Sequence, residues 1–295
     1  MSAVAVLWSR MRKEKAAYLF ILPSVLLFLL FVLYPLVRSF VLGFQEANLV
    51  SAKWVGLANY IEILQDPRFH TALINTMLFV VFLVPTVVFM SYFVALRLAP
   101  LTSRWQTYFR AAFYLPVVVS GVMISMIWLW IFNPVYGLLN TVVGFFGVKP
   151  VAWMGYRGTL YWLMVVVFTF NFGVPLIIYM AAINNIPEEL YEAARIDGAG
   201  KRTVNWKITW PLLKPSTFFL FVTQTVAVFQ TWVVIQLLTN GGPAHSTETI
   251  VFQIYMDAFW YNQYGRASAM GMILLVIIVF LTLAQKLYAG DDVSY

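Results

Sequence analysis

Residue types able to do covalent chemistry are scarce in this sequence, and their spacing does not build a catalytic centre. There is no cysteine, which removes disulfides, thiolate metal sites and cysteine nucleophiles. The two histidines, His70 and His245, stand far apart and outside the apolar segments. A metal centre gathers three or four ligands, and two separate loop histidines do not supply them. The glycine-rich, lysine-bearing loop that cradles nucleotide phosphates is missing, so no cofactor is expected in this chain. Glu188, Glu189 and Glu192 cluster along one helical segment without a histidine nearby, which argues against an acid–base enzyme. The remaining candidates are neutral: Asn171 with Gly173, then Gln224, Thr225, Gln230, Thr231 and Gln236, interleaved with Phe170, Phe172, Phe229 and Trp232. Amides and hydroxyls beside aromatic rings suit an uncharged, hydroxyl-rich solute, whose hydroxyls need partners while its C–H faces pack on rings. The same groups also tie membrane helices together. Gln224 and Thr231 are seven residues apart, which puts them on one face of a continuous helix.

These groups lie in long apolar runs. The chain is 62% hydrophobic and 11% charged, whereas soluble domains are about 45–50% apolar and about 25% charged. Six segments carry no charge over about 20 residues, the length a helix needs to cross a bilayer: Ala16–Val37, Leu73–Leu96, Ala111–Phe132, Leu160–Ile183, Phe218–Leu238 and Ala267–Gln285. Hydrocarbon leaves the backbone no partner but itself, which selects helix. Continuous apolar runs also do not match the short alternating segments of a membrane barrel. Val135–Val148 is short and interrupted by Gly137, Gly144 and Gly147; it reads as a re-entrant or interfacial segment. Pro85 and Pro175 fall inside spans and predict kinks there. The expected class is an all-α integral membrane protein with about six transmembrane helices, surrounded by membrane lipid.

The net charge of +7 would suggest nucleic acid in a soluble protein. Here the basic residues flank the spans, so they set topology, and no nucleic-acid partner is expected. With the N-terminus inside, Arg10, Arg12, Lys13, Lys15, Arg195, Lys201, Arg202, Lys207 and Lys214 fall on the inner side, as the positive-inside rule requires. Both termini are then cytoplasmic, with Ser2 and Ser294 inside and Ser51 and Thr247 outside. No Asp, Glu, Lys, Arg or His lies within a span. Carriers driven by ion gradients keep such groups near midplane, so their absence argues against a secondary carrier.

The loop between the fourth and fifth spans, residues 184–215, carries the sharpest pattern. Pro187, Glu188 and Glu189 suit a first helical turn. Leu190, Ala193, Ala194 and Asp197 fall on one side at helical spacing. Gly198 permits the left-handed residue that ends a helix. The expectation is a short helix, a glycine turn and a second helix stopped at Pro211. Two adjacent alanines make a face of little bulk, which a partner protein can approach, and Glu192 beside them offers a charge. A helix lying on lipid would instead show large apolar residues.

The run Glu192-Ala193-Ala194, Gly198 after three intervening residues, then Ile208 and Pro211, resembles the EAA loop of binding-protein-dependent ABC importer permeases. It is most similar to the carbohydrate-uptake branch, of the maltose-permease first-partner type. Val55–Tyr60, Arg110–Pro116, Ile127–Phe132, Leu238–Pro243 and Gly265–Ala269 resemble the same branch, so the likeness runs from about residue 20 to 285. The resemblance implies a type I ABC importer permease fold in a bacterial inner membrane. Residues 1–68 would hold the tail, first helix and external loop; 69–288 the transport core with its coupling loop; 289–295 a cytoplasmic tail. It also implies a second permease, two ATPase subunits that bind ATP and Mg, and an extracytoplasmic binding protein delivering a sugar or oligosaccharide. Within the family, glycerol phosphate or a polyol is the alternative solute. Glu192, Ala193, Ala194, Asp197 and Gly198 would dock the ATPase. Asn171, Gly173, Gln224, Gln230 and Thr231 would line the substrate pathway, Gln and Thr standing where the maltose permease carries serine and asparagine.

Overall fold

The computed structural model describes residues 15–289, and only the backbone at 15–17, 157, 159–161, 288 and 289. Arg10, Arg12, Lys13, Ser2, Ser294 and the rest of the expected C-terminal tail lie outside the described residues. The chain forms two compact units, one of the residues up to Ile63 with Asp257–Met272, the other of Leu64–Met256 with the chain from Ile273.

The first unit opens with α1 (Tyr18–Leu42), 25 residues of high mean hydropathy with none of its most apolar stretch buried inside the chain. A two-stranded antiparallel hairpin follows, β1 (Gln45–Ala47) on β2 (Ala52–Trp54), in the register Gln45 to Trp54 and Ala47 to Ala52. Its turn is held by Asn48, whose side-chain oxygen accepts from the backbone N–H groups of Val50 and Ser51, both at 2.9 Å. The short α2 (Ala58–Gln65) packs back through Asn59, whose amide donates to the carbonyls of Gly43 (3.0 Å) and Gln45 (2.9 Å). Buried Asp257 accepts from Arg266 at 2.8 Å.

The second unit is organised around α3 (Pro67–Leu98), a helix of 32 residues. Asp66 caps it, accepting from Arg68 N–H at 2.8 Å, and Pro67 takes the first turn, where its missing N–H costs nothing. Pro85 does not interrupt α3; the kink expected there is not a break. One half of α3, with Val88, Tyr92 and Ala95, packs on α8 (Gly173–Asn184) and α11 (Lys214–Phe229). The other half, with Phe79 and Leu83, joins α7 (Arg157–Thr169), α12 (Val233–Leu238) and α13 (Ile250–Tyr255) in a second apolar cluster.

Among the described residues, three helices are long and apolar enough to cross a membrane: α1, α3 and α14 (Tyr264–Leu287 of Tyr264–Ala289). Three bent pairs raise the number to six, in accord with the expected class, but the continuous spans read from the sequence are corrected. The third is α4 (Ser103–Val118) and α5 (Gly121–Ile131), meeting at 94°. Val119 is extended there, and Ser120 caps the new helix by accepting from Met123 N–H. The fourth bends by 53° between α7 and α8. Pro175 lies in the first turn of the second piece, where it is tolerated. The third bent pair joins Lys201–Leu212 to α11 at 65°; the fifth expected span is broken again further on, where α11 ends at Phe229 and α12 begins at Val233. Val135–Val148 contains the short α6 (Leu138–Gly144). Asn140 fastens it, its amide oxygen accepting from the Trp153 indole N–H at 2.8 Å and from Val151 N–H at 3.1 Å.

Candidate functional site

A cavity of about 310 Å³ lies at the break between α11 and α12. Leu83 and Val87 of α3, Phe168 and Asn171 at the end of α7, Gln224 and Ala227 of α11, and Gln230, Thr231 and Trp232 of the break line it. Four of the five pathway candidates are therefore brought together: Asn171, Gln224, Gln230 and Thr231. Gln224 and Thr231 meet for a different reason from the one their spacing suggested. The helix has ended before Thr231, and the chain turns so that both border the cavity. No lining residue carries a charge, so the site offers amide and hydroxyl hydrogen bonds and aromatic contact but no counter-ion. Trp232 is held by stacking on Tyr255, ring centroids 4.3 Å apart and planes 24° apart.

Gly173 is not on the lining. It is buried at the start of α8, where a Cβ would stand 2.5 Å from the carbonyl oxygen of Phe113 and 3.0 Å from the Cα of Tyr114. Its smallness lets α4 and α8 approach. Thr225 is likewise a packing group, accepting from the Gln285 amide at 2.9 Å.

The loop after α8 folds as two arms. The first is α9 (Glu188–Ile196), with Glu188 and Glu189 in its first turn and Arg195 in its last, each sign complementing the helix dipole. Its end is a Schellman motif: Gly198 N–H donates to Arg195 O (3.1 Å), Ala199 N–H to Ala194 O (2.8 Å), and Gly198 has φ +72°. The second arm, α10 (Lys201–Leu212), includes a π-helical turn at Asn205–Thr209 and bends by 65° into α11. The helix runs one residue past Pro211, which stands in its last turn just after the π-helical turn. The single low-bulk alanine face needs a correction. Glu192, Ala193 and Asp197 are exposed, but Ala194 is buried within this chain. Tyr191 explains it: its hydroxyl pairs with that of Thr209 at 3.2 Å, turning the side that carries Tyr191 and Ala194 onto the second arm.

One polar cluster is not legible from spacing. Glu248, almost wholly buried, accepts two hydrogen bonds from the Arg68 guanidinium, at 2.9 and 2.7 Å, and its Oε1 lies 2.8 Å from His245 Nδ1. Asn75 donates to the carbonyls of His245 and Glu248. Asn240, Gly241, Ala244 and His245 all have positive φ, so the segment carrying Glu248 is tightly wound. Thr247 is buried, its hydroxyl pairing with Thr239 at 2.7 Å and donating to Gly242 O, and does not offer the accessible position expected of it.

An uncharged polar cavity among α3, α7, α11 and α12, apolar helices long enough to cross a membrane and a capped two-arm loop are the features of a polytopic helical transport protein. Residues 57–290 match the family described as binding-protein-dependent transport system inner membrane component. A probable ABC transporter permease protein of Bacillus subtilis, YurN, is 36% identical, over 91% of this chain and 94% of its own. The arabinooligosaccharides transport system permease protein AraP of the same organism is 31% identical, over 95% of this chain and 90% of its own. The sn-glycerol-3-phosphate transport system permease protein UgpA of Agrobacterium fabrum is 32% identical, over 94% and 96%. A chain in the crystal structure of a bacterial ABC transporter that imports the acidic polysaccharide alginate superimposes with a TM-score of 0.85 at 21% identity, covering 98% of this chain and 99% of the other. The chain belongs to the family of binding-protein-dependent transport system inner membrane components, and its place is that of a permease subunit of an ABC importer.

Proposed function

We propose that this subunit passes an uncharged sugar or oligosaccharide through the cavity at the break between α11 and α12. An extracytoplasmic binding protein would deliver the solute; a second permease and two ATPase subunits, which bind ATP and Mg, complete the importer. Glu192, Ala193, Asp197 and Gly198 form the surface and turn that dock an ATPase, and Ala194 fixes that helix to its own chain. The observation that carries the solute reading is the lining: Asn171, Gln224, Gln230 and Thr231 beside Phe168 and Trp232, with no charged group. The likeness to AraP supports it. The likeness to UgpA favours glycerol phosphate, but a phosphate would meet no cation in this cavity.

Truncating Gln224 or Thr231 to alanine removes a hydrogen-bonding group each. A typical bond contributes about 0.5–1.5 kcal/mol, so each change is expected to weaken uptake roughly two- to twelvefold or alter sugar preference, with the complex still assembling. Uptake kinetics of each variant and of the pair, in cells, provide the measurement. Unchanged kinetics in all three would assign both residues to helix packing.

Both termini are cytoplasmic in this reading. In the cysteine-free chain, a cysteine at exposed Ser51 or Val135 should react with an impermeant thiol reagent in intact cells. One at Ser2 or Ser294 should react only after the membrane is opened. Labelling at Ser294 but not Ser2 would mean an odd number of spans.

A further inference from the structure

We propose that Tyr92 is the positioning residue through which the two-arm loop moves the membrane helix α3. The proposal rests on the reading of that loop as the ATPase-docking element. The loop is attached to the bundle in two ways. One is covalent, at both ends: residues 185–187 join the first arm to α8, and the bend at Leu213 leads into α11. The other is a run of side-chain contacts. Tyr191 of α9 pairs with Thr209 on the second arm at 3.2 Å, and Thr209 is buried. The next residue, Trp210, meets the Tyr92 ring edge to face, centroids 4.9 Å apart and planes at 75°. Tyr92 meets Tyr179 of α8 at 5.7 Å and 67°, and the Tyr179 hydroxyl donates to Thr217 of α11 at 2.9 Å. Tyr92 and Tyr179 are 1% and 0% exposed.

The covalent route alone would let the loop drag α8 and α11 and leave α3 behind. Tyr92 closes the second route, since its ring contacts the second arm while its backbone belongs to α3; Phe89 of α3 also stacks on Trp210 at 5.9 Å, but it is 38% exposed, so the buried Tyr92 ring is the firmer contact. Close-packed rings cannot slide by fractions of an ångström without losing contact, so a displaced Trp210 must shift Tyr92 or repack against it. The Tyr92 hydroxyl is only 3.4 Å from its acceptor, Asn205 O, so the ring, rather than the hydroxyl, is the working part.

The test uses the absence of cysteine. A cysteine at Ala227, which lines the cavity and is exposed, reports its opening by the rate of reaction with a methanethiosulfonate reagent. In the complete importer, that rate should change at least fivefold between the nucleotide-free and the ATP–vanadate-trapped states. Tyr92→Leu should keep ATP hydrolysis within about twofold and reduce the nucleotide-dependent change to less than twofold. Tyr92→Phe should restore it. Should the leucine variant fail to assemble, Trp210→Leu, which removes the same ring contact from the loop side, is expected to cut the change by about threefold. A full response in Tyr92→Leu or, in its absence, in Trp210→Leu overturns the proposal, as does loss of hydrolysis and response in equal proportion. A parent importer whose reporter ignores nucleotide overturns the docking reading itself, a different result from a responsive parent with unaffected variants.

Discussion

Replacing Gly198 by valine is expected to abolish ATP-driven uptake while the chain still inserts into the membrane. A Cβ built on Gly198 meets nothing within 4 Å, so no collision opposes the change. The cost lies in the backbone. Left-handed geometry costs an L-residue roughly 1–2 kcal/mol, and a β-branched residue adopts it least of all. Gly198 N–H and Ala199 N–H close the end of α9 only in that geometry, so relieving the strain re-aims one arm against the other. Asparagine, which tolerates left-handed geometry, should be milder than valine. Ala193→Asp should give the same loss by another route. Ala193 is exposed in the chain alone, so folding is untouched, but a charge carried unpaired into a partner's cleft costs several kcal/mol. Co-purification with the ATPase and ATP-dependent uptake are the measurements. Parent-like assembly and transport in both variants would show that the loop does not couple.

The second large effect is on stability. Arg68→Met should destabilise the chain strongly, because it takes the guanidinium from Glu248 and leaves the His245 ring as the neighbour of the carboxylate. That carboxylate is 3% exposed and takes both of its short guanidinium bonds from Arg68. Breaking a buried pair from one side costs about 3–5 kcal/mol; the partial exposure of Arg68 places the expected loss toward the lower figure. The double variant Arg68→Met, Glu248→Gln should recover part of it, since a neutral amide is cheaper to bury than a carboxylate that has lost its guanidinium. Thermal unfolding in detergent reads both. A parent-like midpoint for Arg68→Met would show that the pair contributes nothing net, and an equal loss in single and double variants would locate the effect elsewhere.

The sequence reading was strongest where chemistry is local. Gly198 is legible because a helix followed by a left-handed residue favours glycine, and Glu188, Glu189 and Arg195 mark the ends of α9 by charge. The apolar runs are legible because lipid selects on composition. The breaks inside them are not: Ser120, Phe170–Phe172 and Gln230–Trp232 interrupt the helix without interrupting hydropathy, which is blind to the direction of the backbone. For the same reason Gly173 read as pathway because Asn171 stands beside it, although its lack of a side chain serves the close approach of α4. Ala194 read as part of an open face because helical spacing does not say which side Tyr191 will pull inward. Arg68 and Glu248 are 180 residues apart, a separation at which no spacing rule pairs them. The hairpin strands are three residues each, too short for alternation to register.

The most apolar stretch of α1 buries nothing inside the chain, and the family match begins at residue 57, after that helix has ended. A core position such as Tyr179 constrains its residue by shape. Within this chain, the exposed positions of α1 constrain theirs only by oiliness and length. Mutational drift among leucine, isoleucine, valine and phenylalanine along that face is therefore close to neutral as far as this subunit is concerned. Any inherited preference for one of them over another would be the imprint of a neighbour in the membrane.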